Sequence, residues 1–192
     1  MPKKIFVFLF DGYSDWEIAY LTPEIHKSDD FELIYFSKDG GTVQSMGGLQ
    51  VQAQIALSDI AITEVDMLIL PGGTAWEKGL NTELEPLVKA QFAAGKDIAA
   101  ICAATTFLGQ QGLLDNLQHS SNALSYLQAI APAYTGAAHY QNTLAVSARN
   151  VITANGIAPI EFAREVFNRL ELYSLEDSEK WFQLFKNGVW SE

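Results

Sequence analysis

The sequence holds one cysteine, Cys102, among 192 residues. One thiol closes no internal disulfide and supplies no cysteine cluster for zinc, so a reducing, cytoplasmic compartment is expected. Histidine is scarce too. His26, His119 and His139 lack the close spacing of a ligand set, so no metal is expected. Basic residues number 12 against 23 acidic ones, for a net charge of −11. A surface of that sign repels phosphate backbones and anionic lipid, so neither nucleic acid nor membrane is an expected partner. Long apolar runs are missing: the run Ile5 to Phe10 falls far short of the ~20 residues that span a bilayer. No export leader is read at the N-terminus. No G-x-S-x-G, Walker loop or G-x-G-x-x-G follows a strand, so hydride and phosphoryl transfer lack support and no cofactor is expected.

What is present reads as one α/β domain over residues 1–192. Lys4 to Phe10 is continuously apolar after its lysine and rich in aromatic and β-branched residues. Continuity, rather than alternation, marks a strand covered on both faces, as in a parallel sheet. Phe31 to Phe36, Met67 to Leu70 and Ile98 to Ile101 read alike. Helical patterns lie between them. Thr82-Glu83-Leu84-Glu85 has the form of a capping box, opening a helix with Leu84, Leu87, Val88 and Phe92 on one face and Gly95 at its end. Two hairpins interrupt the alternation, one around Gly47-Gly48 and one turning at Arg149-Asn150. A helix follows from Pro159, and Ser174 through Asp177 caps a last one carrying Trp181, Leu184 and Phe185.

In open parallel sheets ligands bind beyond the carboxyl ends of the strands. That rule selects Asp11 to Glu17, Pro71-Gly72-Gly73-Thr74 and Ala99 to Thr105. A strand ending in Cys102 and followed by small residues permits a tight turn into a helix, pointing the sulfur at the cleft. Helix amides and the helix dipole favour thiolate, so a thiol more acidic than the usual value of about 8.5 is expected. Glu17, between Trp16 and Ile18, is a buried carboxyl in need of a partner, and it is assigned to the sulfur. The backbone amides of Gly73 and Ala103 are expected to hold an oxyanion. Tyr13, Asp15, Trp16, Gly72 and Trp76 are expected to line a small pocket.

Four motifs in order resemble the ThiJ/PfpI family of the class I glutamine amidotransferase-like superfamily. They are Phe10-Asp11-Gly12-Tyr13 leading to Glu17, Leu70-Pro71-Gly72-Gly73, Ala99-Ala100-Ile101-Cys102-Ala103, and Thr153-Ala154-Asn155-Gly156 leading to Glu161-Phe162. The resemblance covers about residues 4–170 and leaves 171–192 as a C-terminal helical extension. It implies a flavodoxin-like three-layer sandwich, a cysteine on a nucleophile elbow, a glutamate paired with it and a homodimer. Family activities span peptidase, amidase, glyoxalase or deglycase, stress chaperone and regulatory domain.

Departures narrow that range. Ala103 stands where peptidase-like members carry a histidine, and Asn122, expected with the other pocket residues, stands where others place one. The later H-x-E pair of glutaminases is absent. His119, three residues before Asn122, is the remaining candidate base; otherwise Cys102 and Glu17 act alone. The leading expectation is hydrolase-, amidase- or glyoxalase-like attack of Cys102 on a small carbonyl or amide compound. The alternative is a stress-response protein whose Cys102 is oxidised, and a third is a binding module with little chemistry. General protease activity is not expected.

Overall fold

The computed structural model describes residues 1–190; the last two residues of the expected C-terminal extension lie outside the described residues. In chain order the strands are β1 (Lys3–Phe8), β2 (Phe31–Ser37), β3 (Thr42–Gln44), β4 (Gln50–Gln52), β5 (Ile55–Ala56), β6 (Met67–Leu70), β7 (Asp97–Ile101), β8 (Ala145–Ala148) and β9 (Val151–Ala154). The α-helices are α1 (Thr22–His26), α2 (Thr74–Glu77), α3 (Glu85–Ala93), α4 (Ala104–Gln110), α5 (Leu124–Ile130), α6 (Pro159–Leu170) and α7 (Leu175–Asn187).

Seven strands form one sheet in the order β5-β2-β1-β6-β7-β9-β8, parallel except for β8 against β9. Every residue of β6 and of β9 is buried, which requires cover on both faces of the sheet. Helices supply it, as the continuous apolarity of these segments predicts. The fold is flavodoxin-like. Both hairpins form. β3 and β4 pair antiparallel outside the main sheet, and the β8–β9 turn holds Arg149 at φ 50°.

An aromatic cluster lies beneath the carboxyl ends of the central strands. Trp76 packs against Phe10 at 5.4 Å and Phe107 at 5.0 Å between ring centroids, and Phe8 against Phe10 at 5.4 Å. At the far end of the chain, Ser174 Oγ accepts from the Asp177 amide at 3.1 Å and starts α7 as expected. Trp181 then packs on Phe167 of α6. Leu184 is only half-buried there, and Phe185 is 43% exposed.

One local expectation fails. Thr82 to Leu84 is a 3-10 turn, no side chain caps it, and the α-helix begins at Glu85. Pro86, without an N–H and with φ preset for a helix, fixes the start there and leaves the capping-box residues outside. Leu84, Leu87 and Val88 are buried as expected and Phe92 half-buried, with Gly95 at φ 68° ending the helix.

Candidate active site

The three selected loops meet at one edge of the sheet. Cys102 stands between β7 and α4 with φ 59°, a left-handed conformation that is strained for a residue bearing a Cβ. Its backbone is held on both sides. The Cys102 amide donates to Ala154 O at 2.9 Å, continuing the ladder with β9, and its carbonyl accepts from Thr105 N at 3.1 Å and Thr105 Oγ1 at 2.6 Å.

Two glycines admit the side chain. A Cβ on Gly72 would lie 2.7 Å from both Cys102 Cβ and Glu17 Oε2, and a Cβ on Gly156 would lie 2.7 Å from Cys102 Sγ. Any other residue at either position would displace the sulfur or the carboxyl. Asn122 Nδ2 donates to Sγ at 3.4 Å, while Asn122 Oδ1 accepts from the Gly156 amide at 2.9 Å. The second bond fixes which end of the Asn122 amide faces sulfur.

Glu17 reaches the same point from a 3-10 turn, Asp15–Glu17, and is fully buried. Its Oε2 accepts from the Gly72 amide at 2.6 Å; Oε1 is buried without a complete hydrogen bond. Burial pushes the Glu17 carboxyl from 4.5 up to about 7, opposed by the Gly72 amide and by the nearby Cys102 and Ser14 side chains. Burial also pushes the Cys102 thiol up to about 12, reinforced by the Glu17 charge. Asn122 and the Ala103 amide pull the other way and are outweighed. The expected acidified thiol is therefore overturned. The amide at the start of α4 acts as anticipated, but an apolar seat beside a carboxylate dominates it. Near neutral pH the resting site holds a thiol beside a carboxyl poised to gain or lose one proton.

His119 is not at the sulfur's service. It is fully buried, with Nδ1 2.7 Å from Leu117 O and Nε2 2.6 Å from the Tyr134 hydroxyl. A carbonyl only accepts, so Nδ1 carries the proton and Nε2 accepts from tyrosine. Burial lowers its pKa, keeping the ring neutral. Both nitrogens are spent on structure, and the residue is corrected from candidate base to core.

The expected pocket also changes. Trp76, at 1% exposure, belongs to the aromatic core and donates Nε1 to Pro71 O at 2.9 Å, while Tyr13 is buried against Phe10. Trp16 is 45% exposed. Asp15 Oδ2 accepts from Ser45 Oγ at 2.5 Å, and Met46 N donates to Tyr13 O at 2.8 Å, so this loop serves to strap the β3–β4 hairpin down. The Gly73 and Ala103 amides donate to no backbone carbonyl among the described residues. A surface hollow of about 350 Å³ lies far from this chemistry, among Met1, Lys3, Lys4 and Glu64.

Three residues were given no site role by the sequence reading. Gly156 packs beside the sulfur, and the sequence marked it only as the end of the Thr153-Ala154-Asn155-Gly156 motif. Tyr126 of α5 donates its hydroxyl to Glu77 Oε1 of α2 at 2.7 Å. Burial and the Glu77 carboxylate raise the pKa of that hydroxyl, with a smaller contribution from Cys102. Residues 77 and 126 are 49 apart in the chain, and no local pattern links them.

A sequence model of the DJ-1/PfpI family matches residues 3–169. The chain belongs to the DJ-1/PfpI family. It is 33% identical to "Uncharacterized protease YoaZ" of Bacillus subtilis, covering 96% of this chain and 91% of that protein. The crystal structure of the thiJ/pfpI family protein from Bacillus anthracis superposes with a TM-score of 0.93 at 34% identity, over 98% of this chain and 92% of that one. "Deglycase TK1284" of Thermococcus kodakarensis is 30% identical over 62% of this chain and 71% of its own length. No helix among the described residues is long and apolar enough to cross a membrane.

Proposed function

We propose that this DJ-1/PfpI protein uses Cys102 and Glu17 for glyoxalase- or deglycase-like chemistry on a small aldehyde. The observation that carries the reading is the buried Glu17 carboxyl, raised to about 7, next to a protonated thiol. A base is most useful when its pKa lies near the working pH. Ionised Glu17 takes the thiol proton as sulfur adds to the aldehyde carbon. The carbonyl π pair moves to oxygen, and in this reading the Gly73 and Ala103 amides hold the oxyanion. Glu17 then returns the proton to that oxygen, and a hemithioacetal results with atoms and charge balanced.

Amide hydrolysis asks for more: a poor amine leaving group must be protonated by a well-placed acid, usually imidazole. His119 is committed elsewhere, so peptidase chemistry is disfavoured despite the word protease in a relative's name. The deglycase among the relatives supports the aldehyde class. The test is incubation with a small 2-oxoaldehyde such as methylglyoxal, following adduct mass and hydroxy-acid release. Adduct and product should disappear in Cys102→Ala and fall steeply in Glu17→Gln. Product formation that survives Cys102→Ala overturns the reading.

A second reading is oxidation of Cys102 in a stress response. A protonated Glu17 beside the sulfur is a ready donor to a sulfinate oxygen, and this favours it specifically. Graded peroxide with intact-mass detection separates the two readings.

A further inference from the structure

Asn122 Nδ2 lies 3.4 Å from Cys102 Sγ. Its Oδ1 is taken by the Gly156 amide at 2.9 Å, so the oxygen cannot change places with the NH2 group. An amide nitrogen donates and never accepts. A donor does little for a neutral thiol and far more for a thiolate, because hydrogen bonds to charged groups are the strong ones.

The segment that carries Asn122 is pinned on three sides. Ser120 N donates to Thr153 Oγ1 at 2.8 Å and Ser120 Oγ donates to Thr153 O at 3.0 Å, tying the segment to β9. Thr105 Oγ1 spends its proton on Cys102 O and so accepts from Ser121 Oγ at 2.7 Å, tying the segment to α4. Asn155 closes the frame. Its Nδ2 donates to Asn122 O at 3.0 Å and Ser121 O at 3.3 Å, while its Oδ1 accepts from Ile157 N at 3.1 Å. Asn155 makes no hydrogen bond to the sulfur among the described residues; it reaches the site only through the chain that holds Asn122. The outcome of the frame is one N–H aimed at Sγ, able to meet a developing charge without reorganising.

We infer that Asn122 is a catalytic residue, the donor that holds the negative charge on Cys102 while its proton sits on Glu17, and that Asn155 is the positioning residue that aims it. When ionised Glu17 takes the thiol proton, the bonding pair stays on sulfur. The Asn122 N–H bonds to that thiolate until the sulfur adds to the carbonyl carbon. Asn122 itself moves no proton. The inference rests on Cys102 as the reacting group, but it concerns how the thiolate is held, which is measured without any aldehyde.

The experiment is alkylation of the full chain by iodoacetamide at a fixed pH of about 8, where Cys102 is the only thiol that can react. The thiolate attacks the methylene carbon, a thioether forms, iodide leaves with the bonding pair, and the thiol proton has passed to Glu17 or water. Asn122→Asp keeps an oxygen for the Gly156 amide and replaces only the group that faces sulfur. Asn122→Leu removes the donor without adding charge. One hydrogen bond to a charged group is worth roughly tenfold in thiolate population. The greater nucleophilicity of a more basic sulfur returns about threefold of that. Asn122→Leu should therefore slow alkylation by about threefold, and Asn122→Asp, with its like charge, by about tenfold or more. Asn155→Ala should slow it in the wild-type background and add no further slowing to Asn122→Leu, where nothing is left to aim. Thermal melts establish that each variant is folded, and the Gly156 bond kept in Asn122→Asp holds that variant close to the native packing. Equal or faster alkylation in either Asn122 variant overturns the catalytic role. Slowing by Asn155→Ala that is the same in both backgrounds, or absent from the wild-type one, overturns the positioning role. A chain that shows the expected pattern yet turns over no aldehyde leaves this inference standing and removes the proposed reaction.

Discussion

Replacing Glu17 by glutamine should change how stability depends on pH, and the structure gives sign and size. The carboxyl is completely buried and its pKa lies at about 7 rather than 4.5. The folded chain therefore keeps this proton at pH values where the unfolded chain has released it. A raised pKa contributes stability that is complete below pH 4.5 and is lost as pH climbs through 7. At about 1.36 kcal/mol per pH unit, the interval is worth about 3 kcal/mol. For a chain of this size that is roughly 6–12 °C in melting temperature. Glutamine is neutral throughout and has no such contribution to lose. Urea or thermal melts of both proteins between pH 4 and 8, under reductant, give the wild-type-minus-variant difference, from which titrating groups that do not contact Glu17 cancel, and the window ends below the ordinary thiol range so that Cys102 adds little. That difference should fall by about 3 kcal/mol across the window and level off above it. A flat difference would mean that Glu17 titrates as an ordinary carboxyl and that burial does not govern the site.

The same substitution should lower the Cys102 titration midpoint, because the Glu17 charge is the second largest cause raising it; iodoacetamide alkylation against pH reads this directly, and a midpoint that holds or rises refutes it. Gly156→Ala places a Cβ 2.7 Å from Sγ, so alkylation should slow and stability fall by about 1–3 kcal/mol. Equal or faster alkylation would show that the sulfur is not confined there. His119→Phe strands the Leu117 carbonyl and the Tyr134 hydroxyl, at a cost of about 2–4 kcal/mol in a denaturant melt. Its folded fraction should alkylate as the wild type does, and a tenfold loss would restore the histidine as a partner of the sulfur.

The framework was legible because its signals are local. Continuous apolarity in Phe6 to Phe8, Met67 to Leu70 and Ile98 to Ile101 encodes burial on both faces of a sheet, and turn residues mark both hairpins. The small residues around Cys102 announced the strained turn. Electrostatics was not legible in the same way. Helix amides do pull on the sulfur as the sequence implied, but the outcome depends on how deeply Glu17 and Cys102 are buried together, 85 positions apart in the chain. His119 misled for a similar reason: Tyr134, brought beside it by the fold, takes the nitrogen that a catalytic role would need. The capping box at Thr82 lost to the proline four residues on. Asn122 was found only through the resemblance, and its orientation became clear once Gly156 was seen to hold its oxygen.

That last contact bears on how the protein ages. Asn155-Gly156 is the dipeptide most prone to succinimide closure, in which the glycine nitrogen attacks the asparagine side-chain carbon and expels ammonia. Closure needs a free nitrogen and a side chain able to swing back onto it. Here the Gly156 N–H is engaged by Asn122 Oδ1, while the Asn155 side chain donates to Ser121 O and Asn122 O and accepts from Ile157 N. The hydrogen bond that aims an amide at the sulfur thus also holds shut a slow chemical clock running beside it.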